Sequence, residues 1–291
     1  MATLQGVMAI SLWSLLALLG ALTTAIPAFQ LLFICFSISA LLMFTGRALR
    51  KRPLLSRPAL SPSQWLVGIT GLFGFHWCYF AALKRAPALE VSLIVYLWPL
   101  LLSLLVAGSG RRHLAALGGL LGFGGVAMLI APSGETVLNS RTLVGYGLAS
   151  CCALLWAGYS WHLSRSRGKV EDIGWVSLAV ALLSLLVHLA TERGHWSFSA
   201  LEGLGALLLG LGPVGGAFYL WDRGLKQGNR PLLASLSFAT PLLSSVVLVL
   251  AGVNDWRLAT GVALVLIMLG AGVANFKPRL PAAVKEGDVS G

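Results

Sequence analysis

Long runs of apolar residues, separated by short polar or charged stretches, fill the chain as far as about residue 276. A helix needs about 20 mostly apolar residues to cross about 30 Å of hydrocarbon. Ten runs reach this length, and they lack the alternation of apolar and polar residues that membrane barrel strands require. The pattern predicts an all-α polytopic membrane protein with spans 1 to 10 at 4–24, 27–46, 64–83, 89–107, 114–132, 143–163, 173–190, 203–221, 231–251 and 257–275.

The second half of the sequence weakly repeats the first. A shift of 142 residues superposes segment 99–103 (PLLLS) on segment 241–245 (PLLSS), and a shift of 143 places Trp13 on Trp156. Because each half holds an odd number of spans, the second half enters the membrane from the opposite side, as in many secondary transporters. We predict ten transmembrane helices as a 5+5 inverted repeat, with a first repeat at 1–132, an external connector at 133–142, a second repeat at 143–276 and a disordered cytoplasmic tail at 277–291.

Composition and charge support a membrane protein and predict its orientation. Hydrophobic residues make up 57% of the chain and charged residues 11%, which leaves too little polar surface for a soluble globule. The net charge is +11, and 16 basic residues fall on the side of the predicted bundle that holds both termini, against five on the other side. By the positive-inside rule we expect cytoplasmic termini in a bacterial inner membrane. Short basic clusters between apolar runs do not favour nucleic-acid binding.

The sequence lacks the motifs of a membrane enzyme or a metal site. It contains no HExxH motif, no acidic pair within a span and no cysteine spacing typical of zinc. Segment 210–215 matches GxGxxG by letter, but it lies in a predicted membrane helix with no preceding strand. We therefore expect no enzyme activity, no metal and no cofactor, and we keep a membrane-embedded enzyme only as the alternative from another functional class.

Aromatic residues near the middle of the spans are the first candidates for a binding site. Trp13, Trp77, Trp98 and Trp156 lie there, and the N–H group of a mid-span indole cannot be satisfied by lipid. These side chains should therefore face a protein partner or a wet cavity. Trp221 adjoins charged residues, so the sequence leaves open whether it lies in a cavity wall or in the interfacial aromatic belt.

One face of span 3 combines an imidazole with a phenol at membrane depth. His76, Tyr79, Phe80 and Leu83 follow the i, i+3, i+4, i+7 spacing of a helix face. An ionisable residue within a span is a functional hypothesis, here proton sensing or hydrogen bonding to a substrate carboxylate. The alternative is a histidine that is satisfied by a backbone carbonyl in the helix core. Tyr79 on the same face favours the cavity.

Prolines mark corresponding positions in spans 4 and 9. Pro99 and Pro241 each remove a backbone hydrogen bond from a membrane helix, which kinks the helix and frees a carbonyl. Membrane helices tolerate prolines generally, but breaks at matched positions of two repeats point to a midplane site and its hinges. We predict that these two prolines are hinges.

These features resemble those of EamA-type members of the drug/metabolite transporter superfamily. The resemblance rests on Trp13, on the turn at 83–88 (LKRAPA) and on the two prolines. Segments 75–80 (FHWCYF) and 96–99 (YLWP) further resemble YddG-type exporters of aromatic and other neutral amino acids. The resemblance implies export from the cytoplasm through a central cavity lined mainly by spans 1, 3, 4, 6, 8 and 9, by a protein that acts as a monomer.

The predicted function is a secondary transporter that exports aromatic or neutral amino acids, or related small metabolites, by alternating access through an aromatic-lined cavity. No charged residue lies at mid-span, so a zwitterionic or neutral solute fits better than an ion. The partners are this small molecule and the lipid bilayer, and export of other metabolites or drugs is the alternative. The predicted substrate-binding residues are Trp13, His76, Tyr79, Phe80, Tyr96, Trp98, Trp156, Tyr159, Phe218, Tyr219 and Phe238.

Overall fold

The computed structural model describes residues 1–130, 139–166, 168–193, 196–252 and 258–276, and these residues form helices, turns and connecting segments without β-strands. Most of the predicted connector and the whole predicted tail at 277–291 lie outside the described residues.

The described part of the first half, residues 1–130, contains eight α-helices. Pro27 is the N-cap of the third, so the boundary that the sequence predicts between the first two spans is confirmed. The helices are α1 (Ala2–Trp13), α2 (Leu16–Ala21), α3 (Ala28–Leu49), α4 (Pro62–Ile69), α5 (Phe75–Leu83), α6 (Ala88–Val95), α7 (Trp98–Val106) and α8 (Arg112–Ile130).

The described part of the second half contains seven further α-helices. A 3₁₀ turn at Val170–Asp172 leads into the second of them. The helices are α9 (Ser140–Arg165), α10 (Ile173–Thr191), α11 (Ala200–Leu211), α12 (Gly216–Gln227), α13 (Arg230–Leu236), α14 (Ala239–Leu250) and α15 (Leu258–Asn275).

Among the described residues, six helical stretches are long and apolar enough to cross a membrane. The bent pair of α13 and α14, with an angle of 45° between them, would make a seventh. Shorter apolar helices occupy Glu90–Val106 and Thr260–Asn275. The chain is therefore a polytopic helical membrane protein. The six stretches are Ala2–Ala21, Ala28–Leu49, Pro62–Leu83, Ser140–Arg165, Val170–Thr191 and Ala200–Gln227.

Several of these stretches are interrupted, and the local sequence explains the interruptions. Between α11 and α12 the chain breaks at Gly212–Gly215, where Pro213 has no N–H group to donate. A Cβ atom on Gly215 would lie 1.7 Å from the Gly210 carbonyl oxygen, so only glycine fits there. Span 3 is interrupted by a π-helical turn at Thr70–Gly74, between α4 and α5.

At the break between α13 and α14, the carbonyl that a proline leaves without its helical donor has another hydrogen-bond partner. Pro241 cannot donate to the carbonyl of Ser237, four residues earlier. That carbonyl instead accepts hydrogen bonds from Thr240, at 3.2 Å from its backbone nitrogen and 3.0 Å from its hydroxyl. Pro99 lies in the first turn of α7, just after the break between α6 and α7. The helix is thus interrupted next to both prolines predicted as hinges, and it is bent by 45° at the break before Pro241.

Close helix pairs hold the bundle together. The tightest contact between α8 and α15 uses glycine on both sides, and a Cβ atom on Gly118 would lie 2.4 Å from the Gly270 carbonyl oxygen. Small residues three or four positions apart permit such close packing in membranes, as the sequence suggests for Gly118 and Gly122. Other extensive contacts pair α3 with α10, α1 with α12, and α5 with α9.

The two ends of the bundle carry different polar contacts. At one end, called here the basic end, Arg47 lies near the Glu171 carboxylate at 3.6 Å and over the Trp175 ring at 5.8 Å. At the opposite end, the Glu192 carboxylate accepts a 3.1 Å hydrogen bond from the backbone nitrogen of Phe29, in the first turn of α3. A carboxylate at a helix N-terminus neutralises the exposed N–H groups and the helix dipole.

Candidate functional site

The middle of the bundle contains a buried group of large rings, which we call the aromatic layer. Its members are Trp13, Trp98, Trp156, Trp221 and Phe218. The Trp13 ring centroid lies 5.1 to 6.3 Å from those of the other three indoles, all in edge-to-face contact. The Phe218 centroid lies 5.7 Å from that of Trp156. These rings come from α1, α7, α9 and α12, so the layer joins four predicted spans.

Hydrogen bonds fix two of the indoles. The Nε1 atom of Trp13 donates to the carbonyl of Pro213, at 3.0 Å, in the break between α11 and α12. The Nε1 atom of Trp221 donates to the Ser160 hydroxyl at 3.1 Å. The expectation that a mid-span indole finds a protein partner is confirmed for Trp13. Trp221, which the sequence left between cavity and belt, is completely buried in the layer.

The same expectation is wrong for Trp77, whose side chain is 50% exposed on the outside of the bundle. It occupies a different face of α5 from His76, whose ring contacts Phe36 at 5.7 Å. Successive helix residues lie about 100° apart, so the face marked by His76 and Tyr79 does not include Trp77. Depth within the span alone did not distinguish the two faces.

His76 makes the backbone contact that the sequence suggested as its alternative role. Its Nδ1 atom lies 2.6 Å from the carbonyl oxygen of Leu72, and its ring lies between Phe36 and Phe75. A carbonyl only accepts hydrogen bonds, so Nδ1 carries the hydrogen and Nε2 of the neutral ring is an acceptor. A neutral His76 can therefore accept a bond from an ammonium group, but it cannot donate from Nε2 to a carboxylate.

Tyr79 and Phe80 lie on the same side of α5 as His76 and are half-buried. The Tyr79 ring stacks on Phe75 with a centroid distance of 6.1 Å, and the Phe80 ring meets Phe29 at 5.7 Å. Both follow His76 along α5, so they lie closer to its Leu83 end. They adjoin the aromatic layer through Phe75, whose centroid lies 5.5 Å from that of Trp156.

Two predicted residues belong to a different cluster. Phe238 packs with Val126, Leu242 and Ile267 in a second buried core, and the half-buried Tyr96 packs against this cluster. The aromatic contacts of the described residues do not link either side chain to the aromatic layer.

Tyr159 and Tyr219 contact different parts of the bundle. The Tyr219 hydroxyl donates to the Ser39 carbonyl at 2.6 Å, so it ties α12 to α3. The buried Tyr159 ring packs 5.5 Å from that of Trp156 and also lines a cavity. A Cβ atom on Gly71 would lie 2.5 Å from the Tyr159 ring, so the π-helical turn provides the space for this side chain.

A cavity of about 40 Å³, called here the Asp222 cavity, lies between the aromatic layer and the basic end, and its surface is mainly apolar with charged residues among those that line it. Asp222 is 1% exposed there and pairs with Lys226, with 2.8 Å between Oδ2 and Nζ. Within the described part of the chain, three residues that line this cavity each carry a buried polar atom without a hydrogen-bond partner. These atoms are Oδ1 of Asp222, Oδ2 of Asp172 and Nε2 of His162.

Sequence reasoning missed this cavity because it took charged residues near span ends as interfacial. The available signal was the i, i+4 spacing of Asp222 and Lys226 directly after Trp221, which allows a buried ion pair. Across the described residues, the acidic, histidine and cysteine side chains form no cluster of three or more that could hold a metal ion. The residues that line the cavity include both acidic and basic side chains, set among apolar ones.

Comparisons with known proteins show that the chain is similar to membrane transporters. Residues 1–131 match the EamA-like transporter family. A protein of Ancylobacter novellus named aromatic amino acid exporter YddG is 40% identical over 283 residues, which cover 96% of this chain and 98% of that protein. Proteins of the same name from Salmonella typhimurium and Escherichia coli are 27% and 26% identical, each over 84% of this chain and 86% of the relative.

A solved crystal structure shares the fold. That protein is 39% identical in sequence and superposes with a TM-score of 0.87, over 94% of this chain and 96% of the other.

Proposed function

Because the chain belongs to the EamA-like transporter family of the drug/metabolite transporter superfamily, we propose that it exports aromatic and other neutral amino acids from the cytoplasm. It is a membrane transporter and not an enzyme. The observation that carries the proposed substrate class is the aromatic layer, in which four helices bring five large rings together. Such rings favour an apolar or aromatic side chain through offset or edge-to-face contact. The relatives named aromatic amino acid exporters support the same class.

In this proposal the predicted residues act at different depths. Trp13, Trp98, Trp156 and Phe218 contact the substrate side chain as it passes the middle of the bundle, and Trp221 joins them. The half-buried His76, Tyr79, Phe80 and Tyr96 line the outer part of the route, and the neutral His76 accepts a hydrogen bond there. Tyr159, Tyr219 and Phe238 shape the surrounding walls. Pro99 and Pro241 are the hinges of alternating access.

The helix packing supports a 5+5 inverted repeat of ten spans. In such a repeat, span 1 corresponds to span 6 and span 3 to span 8. A contact between spans 1 and 8 therefore requires an equivalent contact between spans 6 and 3, and both occur, through α1 with α12 and through α9 with α5. The pairs of spans 2 and 7, and of spans 5 and 10, map onto themselves, and both are extensive contacts, α3 with α10 and α8 with α15. We infer repeats at 1–132 and 143–276 from this symmetry.

The interruptions of the helices obey the same shift as the sequence. The π-helical turn begins at Thr70 and the α11–α12 break at Gly212, 142 residues later. The same shift carries the break at Tyr96 and Leu97 to within one residue of the break at Ser237 and Phe238. Two independent breaks at one offset support a repeat in which both halves bend near the midplane.

We propose that the basic end faces the cytoplasm of a bacterial inner membrane, because the excess of basic residues follows the positive-inside rule. Both termini would then be cytoplasmic. We further propose that one chain forms the complete route, since the aromatic layer is assembled within a single bundle.

Counterflow into liposomes tests the proposal. Purified protein in liposomes loaded with unlabelled L-phenylalanine should accumulate labelled L-phenylalanine without changing it chemically. Tryptophan, threonine and methionine should compete, and sugars should not. Accumulation that responds only to sugars or cationic drugs would contradict the substrate class and favour another branch of the superfamily. Conversion of the label to a product would contradict carrier function.

A further inference from the structure

We propose that the charged residues of the Asp222 cavity, between the aromatic layer and the basic end, bind the ammonium and carboxylate groups of the transported amino acid. This inference rests on the proposed function and adds a head-group site to it. The cavity wall includes Asp222, Lys226, Asp172, His162 and Tyr159, contributed by α12, by the turn before α10 and by α9.

Residues of the wall carry buried polar atoms without a partner, and these atoms favour a ligand that donates hydrogen bonds when the cavity widens. Asp222 and Asp172 are 1% and 3% exposed, yet each has one carboxylate oxygen without a partner. Buried polar groups are nearly always hydrogen-bonded, and an unpaired charged group is costly. The Nε2 atom of His162 also lacks a partner. An ammonium group, which carries three donors and a positive charge, matches this arrangement.

Positive charge on the same wall indicates that the ligand also carries an anion. The Nζ atom of Lys226 lies 2.8 Å from Asp222, and Lys169 also lines the cavity. Two carboxylates and two lysines leave the wall with no net charge when His162 is neutral. A zwitterion preserves this balance, whereas an amine or a carboxylic acid alone would add an uncompensated charge.

In the structure, the ammonium group of Lys226 lies beside Asp222, at the position that the substrate ammonium would take. Its flexible side chain can turn away from Asp222 towards a substrate carboxylate, while the substrate ammonium takes over the Asp222 oxygens. Each charge then keeps a partner throughout the exchange. The volume of about 40 Å³ is enough for water but small for an amino acid, so the cavity must widen on binding.

The position of the cavity fits a ligand with an apolar side chain. Tyr159 lines the cavity and also contacts Trp156 of the aromatic layer, with 5.5 Å between ring centroids. Asp222 directly follows Trp221 in α12. A head group held by Asp222 therefore places the substrate side chain next to the layer.

Competition with single-charge analogues tests the site in the wild-type protein. In counterflow of labelled L-phenylalanine, the competitors are unlabelled L-phenylalanine, phenethylamine, which lacks the carboxylate, and 3-phenylpropionate, which lacks the ammonium. We expect both analogues to compete about tenfold more weakly than L-phenylalanine, because each leaves a buried charge unpaired. If either analogue competes as well as L-phenylalanine, the head-group site is refuted.

Two substitutions locate the site. Asp222→Asn should weaken the binding of L-phenylalanine about tenfold and should not weaken that of 3-phenylpropionate, because only the amino acid has an ammonium group that loses its partner. Lys226→Met should make phenethylamine a stronger competitor relative to 3-phenylpropionate, because Asp222 then lacks the lysine with which it pairs. The matched control is Glu171→Gln, since Glu171 binds Arg47 and Arg52 and does not line the cavity. It should keep the wild-type competitor ratios.

The outcomes separate this site from the proposed function. Folded Asp222→Asn protein with wild-type competitor ratios refutes the site alone. An equal loss for L-phenylalanine and 3-phenylpropionate also refutes it, because a proton site or a general closing contact would act on both. Wild-type protein that moves no amino acid refutes the proposed function. Size-exclusion chromatography checks folding, and if Asp222→Asn is not monodisperse, the wild-type panel and Lys226→Met decide.

Discussion

Replacing Trp13 with phenylalanine tests whether the aromatic layer depends on specific contacts or on bulk alone. The substitution keeps a ring but removes the N–H group that donates to the Pro213 carbonyl at 3.0 Å. A buried carbonyl without its donor costs about 1–3 kcal/mol, and the lost ring volume adds about 1 kcal/mol. We therefore expect Trp13→Phe to destabilise the protein by about 2–4 kcal/mol.

Thermal unfolding of purified protein in detergent measures this effect. For chains of a few hundred residues, about 1 kcal/mol shifts Tm by roughly 2–4 °C, so Tm should fall by at least about 4 °C. Trp77→Phe is the matched control, because that indole is half exposed on the outside of the bundle. It should change Tm by less than about 2 °C. Equal Tm values for the two variants would refute the assigned role of the Trp13 hydrogen bond.

Three other substitutions test features of the bundle. Gly118→Val should lower stability by about 1–3 kcal/mol or more in thermal unfolding, because its Cβ would lie 2.4 Å from the Gly270 carbonyl oxygen. Gly124→Val is the control and should not lower stability in this way, because a Cβ atom there would have no neighbouring atom within 4 Å. Equal losses of stability in the two variants would contradict the packing argument. Glu192→Gln should lower the free energy of unfolding by about 1–2 kcal/mol, because it weakens the hydrogen bonds to the start of α3, and it should leave the transport KM unchanged. An altered KM with an unchanged Tm would contradict this structural role. Pro241→Ala should restore a helical hydrogen bond, raise Tm and slow counterflow, and a wild-type rate would argue against a hinge.

The sequence was sufficient for the features that follow from burial and backbone chemistry. Apolar runs of span length predicted a polytopic helical protein, and Pro27 predicted where α3 begins. Mid-span position brought Trp13, Trp98 and Trp156 into one group of candidates, and the structure places them in contact. These predictions succeeded because an indole N–H group or a proline has few acceptable environments in hydrocarbon.

Rotation of each helix about its own axis could not be predicted in the same way. Trp77 turns outward, and Tyr96 and Phe238, which lie at the breaks of predicted spans 4 and 9, join the second cluster, because these spans are apolar on several faces. A helix that is hydrophobic all round gives no preferred inward direction. Direction is then decided by side-chain packing between helices.

Asp222 and the π-helical turn show a second limit. A charged residue beside Trp221 suggests a membrane surface, but the i+4 partner Lys226 allows the carboxylate to be buried. The turn at Thr70–Gly74 contains no proline and accommodates the Tyr159 ring from another helix. Both features depend on pairs of residues that only the folded chain brings together.

The aromatic layer also determines how the transporter experiences the membrane voltage. Its five rings carry no ionisable group and are buried between helices. A membrane potential acts mainly across the part of a protein that excludes water, and the buried rings belong to that part. Moving one net charge across costs or yields about 2.3 kcal/mol per 100 mV, whereas a zwitterion carries no net charge. If the substrate is a zwitterionic amino acid, as proposed, its passage through the layer moves no net charge, and the membrane voltage acts on it neither as a driving force nor as a barrier.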